Sequence, residues 1–314
     1  MNNTKHYFVV NPKAGKKDIS TLISKEIKEK LISTEDSYDI YITKEKKDAT
    51  RYVNDICKKE EGDIRFYAIG GDGTLNEVVN GVKDFENASL SVIPYGTGND
   101  FIKNFKNTNF FDIKNQINGE KIKVDLLKIG DNSSVNLCNI GFDAKVASNM
   151  NKLKKLPFIK GQLAYTLSIF YSIISKVYDT IEVTIDDNEI ISGDFLLCAI
   201  ANGSYYGGGY MGAPLAEVDD GVMDICLVKK IPRYKMLGFV NIYKKGEHLD
   251  NEKIKPYIIY KKCKKIKITS KNKFTIALDG EIYEDVNLEV SINEKAINFI
   301  VPYEIKENNI LTVK

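Results

Sequence analysis

The run from Arg65 to Gly81, RFYAIGGDGTLNEVVNG, holds the residues whose types and spacing are best suited to chemistry. Gly70-Gly71-Asp72-Gly73-Thr74 can turn sharply, and its glycines let backbone N–H groups approach a phosphate. Leu75, Asn76, Glu77, Val78 and Val79 open a helical pattern, whose N-terminal dipole favours negative charge. Asp72 works against that. A carboxylate inside a phosphate-binding turn repels the ligand unless a divalent cation or a transferred proton reconciles the two. Magnesium-nucleotide chemistry would resolve the conflict. A tight β–α turn in which Asp72 caps the helix is the plainer reading.

Other stretches carry comparable material. Asn11-Pro12-Lys13-Ala14-Gly15-Lys16-Lys17 is a second phosphate-loop candidate. It is not a Walker A loop, because the leading glycine is missing and Lys17 stands where Ser or Thr should follow. Pro94-Tyr95-Gly96-Thr97-Gly98-Asn99-Asp100-Phe101 is a third glycine-bearing loop. Asp125 interrupts the strand-like KVDLLKI, either as a surface position or as an inward site residue. Glu217-Val218-Asp219-Asp220-Gly221-Val222 reads first as a β-turn, and second as one carboxylate and two carbonyls around a hard cation. In Leu278-Asp279-Gly280-Glu281 a hairpin turn accounts for Asp279 and Gly280, but not for the second acid, Glu281.

Composition narrows the field. The 314 residues are 43% hydrophobic and 28% charged with a net charge of +2, the profile of a two-domain soluble globular chain. The first residues lack the pattern of a secretory signal, and Lys5 to Asn11 reads as a strand. Leu163 to Val177 is apolar but too short and too polar to span a bilayer. Five scattered cysteines (Cys57, Cys138, Cys198, Cys226, Cys263) without CxxC spacing read as buried thiols in a reducing cytosol, not as disulfides or a zinc site. With only His6 and His248, a Ser-His-Asp or Cys-His mechanism has little to work with. Nothing resembles a nucleic-acid-binding signature.

The elements that must position these residues follow from periodicity. Tyr7–Val10, Tyr38–Ile42, Arg65–Ile69 and Leu90–Ile93 read as strands. Helical faces lie between them, over residues 18–32, around Ala49, Val53 and Ile56, and from Leu75. This β-α alternation predicts a doubly wound parallel sheet, with ligands outside the carboxyl ends of the strands. All three glycine loops fall at such ends and should converge on one edge. Beyond Lys121–Ile129 the texture changes. Strands are expected at Val135–Asn139, Thr180–Asp186, Phe195–Asn202, Val222–Val228, Ile266–Thr269, Phe274–Leu278, Leu288–Ile292 and Ala296–Val301, interrupted by a helix near Leu163–Val177. Many short strands with turns between them predict an antiparallel sandwich. The expected fold is therefore an N-terminal doubly wound α/β nucleotide-binding domain (1–127), then a β-rich antiparallel sandwich domain (128–296), with the tail 297–314 packing back on the first.

Four motifs now stand in one order: NPKAG at 11–15, GGDGTLNEVVNG at 70–81, PYGTGNDF at 94–101 and LDGE at 278–281. Together they resemble the diacylglycerol kinase catalytic-domain family, in its soluble bacterial lipid-kinase branch, and the resemblance covers essentially the whole chain. It implies an ATP- and Mg²⁺-dependent kinase that transfers the γ-phosphoryl group to a lipid hydroxyl. Diacylglycerol, giving phosphatidic acid, is the first choice; phosphatidylglycerol, a polyprenol and a sphingoid base present the same group. It implies a nucleotide site of Asn11, Pro12, Lys13, Ala14, Gly15, Lys16, Thr43, Gly70, Gly71, Asp72, Gly73, Thr74, Leu75, Asn76 and Thr97. Asp72, Asp100 and Asp125 would position Mg²⁺. Asp220, with carbonyls of Glu217 and Val222, would hold a structural Mg²⁺. Glu281 matches the proposed general base, and Asp72 and Asp279 complete the catalytic set. NAD kinases share the GGDG turn, and a catalytically silent nucleotide- or lipid-binding regulator is the rival from another class. PYGTGND and LDGE argue against the first, and the full acidic set against the second.

Between Lys244 and Lys273 stand eleven lysines against three acids, a net of +8 in a chain whose total is +2. These are either solvated strand faces or a patch that docks on anionic phospholipid headgroups, which would place the protein in the cytoplasm, peripheral at the inner membrane surface. Lys152, Lys154, Lys155 and Lys160 would rim a lipid entrance, and the Tyr205–Tyr210 loop would line the acceptor cleft or merely connect strands. A homodimer is the default assembly.

Overall fold

The computed structural model describes residues 4–15, 19–31, 37–142, 144–146, 178–278 and 281–303. The expected helix near Leu163–Val177, the lysines at 152–160, Lys16, Lys17, Asp279 and the tail from 304 lie outside the described residues. The chain forms two units, Met1–Val124 with Lys295–Lys314, and Asp125–Glu294.

The first unit runs β1 (Lys5–Val10), α1 (Ser20–Leu31), β2 (Ser37–Ile42), α2 (Asp48–Lys59), β3 (Ile64–Gly70), α3 (Asp72–Val82), β4 (Ala88–Pro94), α4 (Ile113–Ile117) and the start of β5 (Glu120–Ile129). The sheet order is β2-β1-β3-β4, and every pair is parallel. Asn298 and Phe299, near the carboxyl end of the last strand among the described residues, pair in parallel with Ser89 and Leu90. Strands covered on both faces need continuous apolar runs, and Tyr7-Phe8-Val9-Val10 and Phe66-Tyr67-Ala68-Ile69 supply them, all buried. The hydroxyl of buried Ser91 donates to the carbonyl of Ile300 at 2.8 Å. On one face Ile23 and Ile27 of α1 and Ile113 of α4 pack on Phe8, Val10, Tyr67, Ile69 and Ile93. α2 and α3 lie against each other at Gly81, where a Cβ would come within 2.6 Å of Val53 Cγ1. Glu77 of α3 fastens the pair by accepting the N–H groups of Lys47 (3.0 Å) and Ala49 (3.2 Å) at the start of α2, which no side chain of its own caps. Glu77 and Gly81, inside the most distinctive motif of the sequence, are therefore helix-packing residues.

The order 2-1-3-4 fixes where a ligand can sit. The connection leaving β1 goes to one side of the sheet and the connection leaving β3 to the other, so a crevice opens outside the carboxyl ends of β1 and β3.

The second unit takes over within β5 and continues with β6 (Asn132–Ser134), β7 (Leu137–Gly141), β8 (Asp179–Ile185), β9 (Glu189–Ala201), β10 (Tyr205–Tyr206), β11 (Tyr210–Met211), β12 (Met223–Lys229), α5 (Arg233–Lys244), β13 (Ile258–Cys263), β14 (Lys265–Leu278) and most of β15 (Glu281–Val301). Its pairings are antiparallel. β8 pairs with β9 and β14, and β7 pairs with the same two strands further along, so the four close on themselves. Inside this ring lie Cys138, Ile140, Ile181, Val183, Cys198, Ile200, Ile266, Ile268 and Ile276. Helix α5 covers the opposite face with Met236, Phe239 and Tyr243. All five cysteines are buried, and none forms a disulfide.

Several elements differ from the sequence reading. Ile266–Thr269 and Phe274–Leu278 belong to one strand, β14, whose register against β15 shifts between Thr269 and Phe274. The polar Ser270–Lys273 stretch is a bulge, not a break. Leu288–Ile292 and Ala296–Val301 likewise merge into β15. Helix α5 and strand β13 were not anticipated. The Tyr205–Tyr210 segment is a small hairpin, its three central glycines at positive φ (60°, 84° and 108°).

His248 is fully buried beside Tyr243, ring centroids 4.5 Å apart, with Nε2 3.7 Å from Cys226 Sγ. Burial lowers its pKa from 6.5 to about 4. The unfolded chain therefore takes up a proton first, and this residue's contribution, intact above pH 6.5, is lost as pH falls toward 4. The full loss amounts to roughly 3 kcal/mol. Urea unfolding across that interval should show a steeper fall for the wild type than for His248→Phe; parallel curves would contradict it.

Candidate active site

Three loops meet at the carboxyl edge of the first unit's sheet. The loop after β1 begins with Asn11, whose N–H donates to the Ile69 carbonyl at 2.9 Å and whose side-chain Nδ2 donates to Thr74 Oγ1 at 3.0 Å. Asn11 Oδ1 accepts the N–H of Lys13 at 3.0 Å, curling the loop back toward β3. Gly15 closes it at φ 78°, where a Cβ would stand 3.0 Å from the Tyr95 carbonyl. Thr43, following β2, donates its N–H to the Val10 carbonyl at 2.9 Å.

The loop after β3 leads directly into α3. Gly71 is the N-cap and no side chain caps the helix, so the expectation that Asp72 does so is corrected. Asp72 faces the loop after β4 instead. Its Oδ1 accepts the N–H of Asp100 at 2.6 Å, and the amides of Asn99 and Phe101 also bear on it. Burial, and then the Asp100 carboxylate, push the Asp72 carboxyl above the ordinary carboxylate range, while those amides pull it down. The loop after β4 is held to β3 by the N–H groups of Tyr95 (2.8 Å) and Gly96 (3.1 Å), both donating to the Gly70 carbonyl. A Cβ on Gly71 would stand 3.0 Å from the Cα of Gly96, so the two backbones touch where side chains would keep them apart. A Cβ on Gly98 would stand 2.7 Å from Asp72 Oδ2 and 3.2 Å from Asp100 Oδ2. Asn99, at φ 49°, clasps Gly96 from both sides, accepting its N–H at 3.1 Å and donating to its carbonyl at 2.8 Å.

The structure thus brings together Asn11, Gly15, Thr43, Gly70 to Thr74 and the 94–100 loop. Lys13 and Thr97 are exposed on these loops. Leu75 is buried in the core and presents only backbone, and Asn76 accepts the side-chain amide of Asn80 at 3.2 Å. Gly96, Gly98 and Asn99 stand in the third glycine loop of the sequence but carry no role in the nucleotide or metal set expected there; the signal for one is the repeated glycine and the Asn, which tolerates positive φ. Lys103 was also missed: its ammonium pairs with buried Asp100.

In the second unit Asp125 is fully buried. Its Oδ2 accepts the N–H of Gly221 at 2.7 Å, and its own N–H donates to the Val218 carbonyl at 2.8 Å. Asn202 adds a bond to the Asp125 carbonyl at 2.8 Å. Asp125 is thus the inward residue of the two readings, and it organises the 217–222 turn. In that turn Asp220 Oδ1 accepts the N–H of Val222 at 3.2 Å, and Oδ2 accepts the ammonium of Lys262 at 2.6 Å. With a lysine already on its only side-chain ligand, the turn does not fit the structural Mg²⁺ expected there. Glu281 opens β15, its backbone registered against Leu278; its side chain lies outside the described residues.

Residues 5–129 match the model of the diacylglycerol kinase catalytic domain, and residues 136–301 match that of the YegS C-terminal NAD kinase beta sandwich-like domain. The chain belongs to the diacylglycerol kinase catalytic-domain family. A diacylglycerol kinase of Staphylococcus aureus (strain JH9) is 31% identical over 314 residues, covering 96% of this chain and 95% of its own. A crystal structure described as a diacylglycerol kinase from Bacillus anthracis superposes with a TM-score of 0.70 over 96% of this chain and 98% of that one; at 23% identity it speaks to the fold alone. Family membership makes the chain a lipid kinase by class, and a kinase of this family implies ATP as phosphoryl donor. Among the described residues no helix is long and apolar enough to cross a membrane.

Proposed function

We propose that this lipid kinase transfers the γ-phosphoryl group of ATP, with Mg²⁺, to the hydroxyl of diacylglycerol. The observation that carries the reading is the bonded convergence of three glycine loops beside the uncapped N-terminus of α3, at the switch point of a parallel sheet. Backbone N–H groups and the helix dipole there favour the phosphates. Asp72 suits a hard divalent cation, since burial and the neighbouring Asp100 carboxylate disfavour its bare charge. Asp100, already paired with Lys103, would give that cation its second oxygen. Bound there, Mg²⁺ would neutralise charge on the transferred phosphoryl group. No group of three or more His, Cys, Asp or Glu among the described residues is arranged as metal ligands. Phosphate, water and backbone oxygens would therefore complete the shell. Lys13 and Lys16 supply point charges to the phosphates, Asn11 and Thr74 fix the cradle, and Glu281 takes the proton of the lipid hydroxyl.

ADP release measured over a panel of diacylglycerol, phosphatidylglycerol, a sphingoid base and a polyprenol in mixed micelles, with NAD alongside, tests the proposal. Turnover with diacylglycerol above the others is expected. Turnover with NAD alone, or with no acceptor while ATP still binds, would hand the chain to one of its rivals.

The acceptor is reached at a membrane surface, and we place docking on the lysine-rich stretch. Five of its lysines are engaged: Lys245 with Glu247, Lys261 with Glu189, Lys262 with Asp220 and Asp224, Lys264 with Glu294, and Lys265 with Asp187 and Glu289. Lys253, Lys255, Lys267, Lys271 and Lys273 stand outside the ion pairs of the described residues. At about 1 kcal/mol per lysine near an anionic surface, binding to phosphatidylglycerol vesicles should weaken steeply as salt is raised. Salt-independent binding would contradict this placement.

A further inference from the structure

The acidic turn of the second unit carries its own cation. Strand β13 runs antiparallel to β12, and its register sets Lys262 opposite Asp224. That pairing brings the Lys262 ammonium to 2.6 Å from Asp220 Oδ2 and 3.6 Å from Asp224 Oδ2. Asp224 is fully buried and Asp220 partly so. Burial alone would lower the pKa of Lys262, but the two carboxylates outweigh it and raise it, and Glu217 adds to the effect. The turn's backbone is tied down as well: the N–H of Gly221 goes to Asp125, the N–H of Val222 goes to Asp220, and the Val218 carbonyl accepts the N–H of Asp125.

We infer that Lys262 is a built-in counter-ion that takes the place of a divalent cation at the 217–222 turn. An ammonium at hydrogen-bond distance from the turn's only engaged carboxylate repels a second cation and occupies the oxygen that would ligate it. Because Lys262 is delivered by strand pairing, the charge is fixed when the sheet forms, and the turn is ordered without metal. Removing that charge should leave Glu217, Asp220 and Asp224 uncompensated and turn the same place into a divalent-cation site.

Hydrogen exchange of the 217–222 amides in the full-length, nucleotide-free protein, with and without excess Mg²⁺ or Ca²⁺, tests this locally. The wild type should show no change on adding metal. In Lys262→Met these amides should exchange several-fold faster without metal and regain protection with it. Lys262→Arg, which keeps the charge, should behave as the wild type, and it decides together with the wild type if Lys262→Met does not fold. Metal protection of these amides in the wild type, or no metal response in folded Lys262→Met, would overturn the inference. Metal binding near Asp72 and Asp100 would register at 70–74 and 96–100 instead, so the two cation assignments fail separately.

Discussion

Replacing Asp72 by asparagine should lower lipid phosphorylation on the order of 10²–10³-fold while the protein stays folded. Asparagine keeps an oxygen that can still accept the Asp100 N–H, which Asp72 accepts at 2.6 Å. The loop after β4 therefore stays attached to α3, and what is removed is the charge. That charge matters because a cation held by Asp72 and Asp100 would offset the negative charge of the phosphoryl group in transfer. Asp72→Ala should cost more, since it also releases the Asp100 amide. Steady-state turnover with saturating ATP, alongside thermal unfolding of the same samples, separates chemistry from folding. Turnover of Asp72→Asn within a few-fold of the wild type would remove Asp72 from the cation site.

Glu281→Gln should cost about 10²–10⁴-fold in turnover with ATP affinity unchanged. A neutral lipid alcohol is a poor nucleophile, and a carboxylate near it gains by accepting its proton as the bond to phosphorus forms. The residue stands at the first position of β15, registered against the last of β14, and that pairing holds its backbone. The glutamine variant has nearly the same size, so lost turnover with retained ATP binding isolates the proton-accepting oxygen. A parallel loss of ATP affinity would instead make Glu281 part of the nucleotide site, and retained turnover would exclude it as the base.

Much of this was legible in the chain because the physics behind it is local. Phe8, Val10, Tyr67 and Ile69 announce doubly covered strands by composition alone, and the glycine loops announce themselves by following those strands. What escaped was set by distant partners. Gly96 is required because Gly71, far away in sequence, meets it backbone to backbone. Asn99 looks like any turn residue until it is seen to grip Gly96. Asp125 could be assigned inward only once the Gly221 amide was found on it. Lys262 was one of eleven lysines in a basic run, and only the β12–β13 register makes it the counter-ion of Asp220. Strand β14 was read as two pieces because Ser270–Lys273 is polar, whereas the register shift there lets one strand pair first with β8 and then with β7. The spacing of Met236, Phe239 and Tyr243 in α5 was present in the sequence, but Gly238 and the neighbouring strand formers masked it.

The claim on which the rest depends is that the three glycine loops form one seat for the phosphates of ATP. Titrating Mg²⁺-ATP into the wild type, Gly96→Ala and Glu281→Gln by calorimetry tests it most directly. A methyl group on Gly96 would be driven into Gly71 and part the two loops. Gly96→Ala should therefore lose ATP binding by at least an order of magnitude while Glu281→Gln binds as the wild type does. Wild-type ATP affinity in a folded Gly96→Ala protein would contradict the account and move the nucleotide away from these loops.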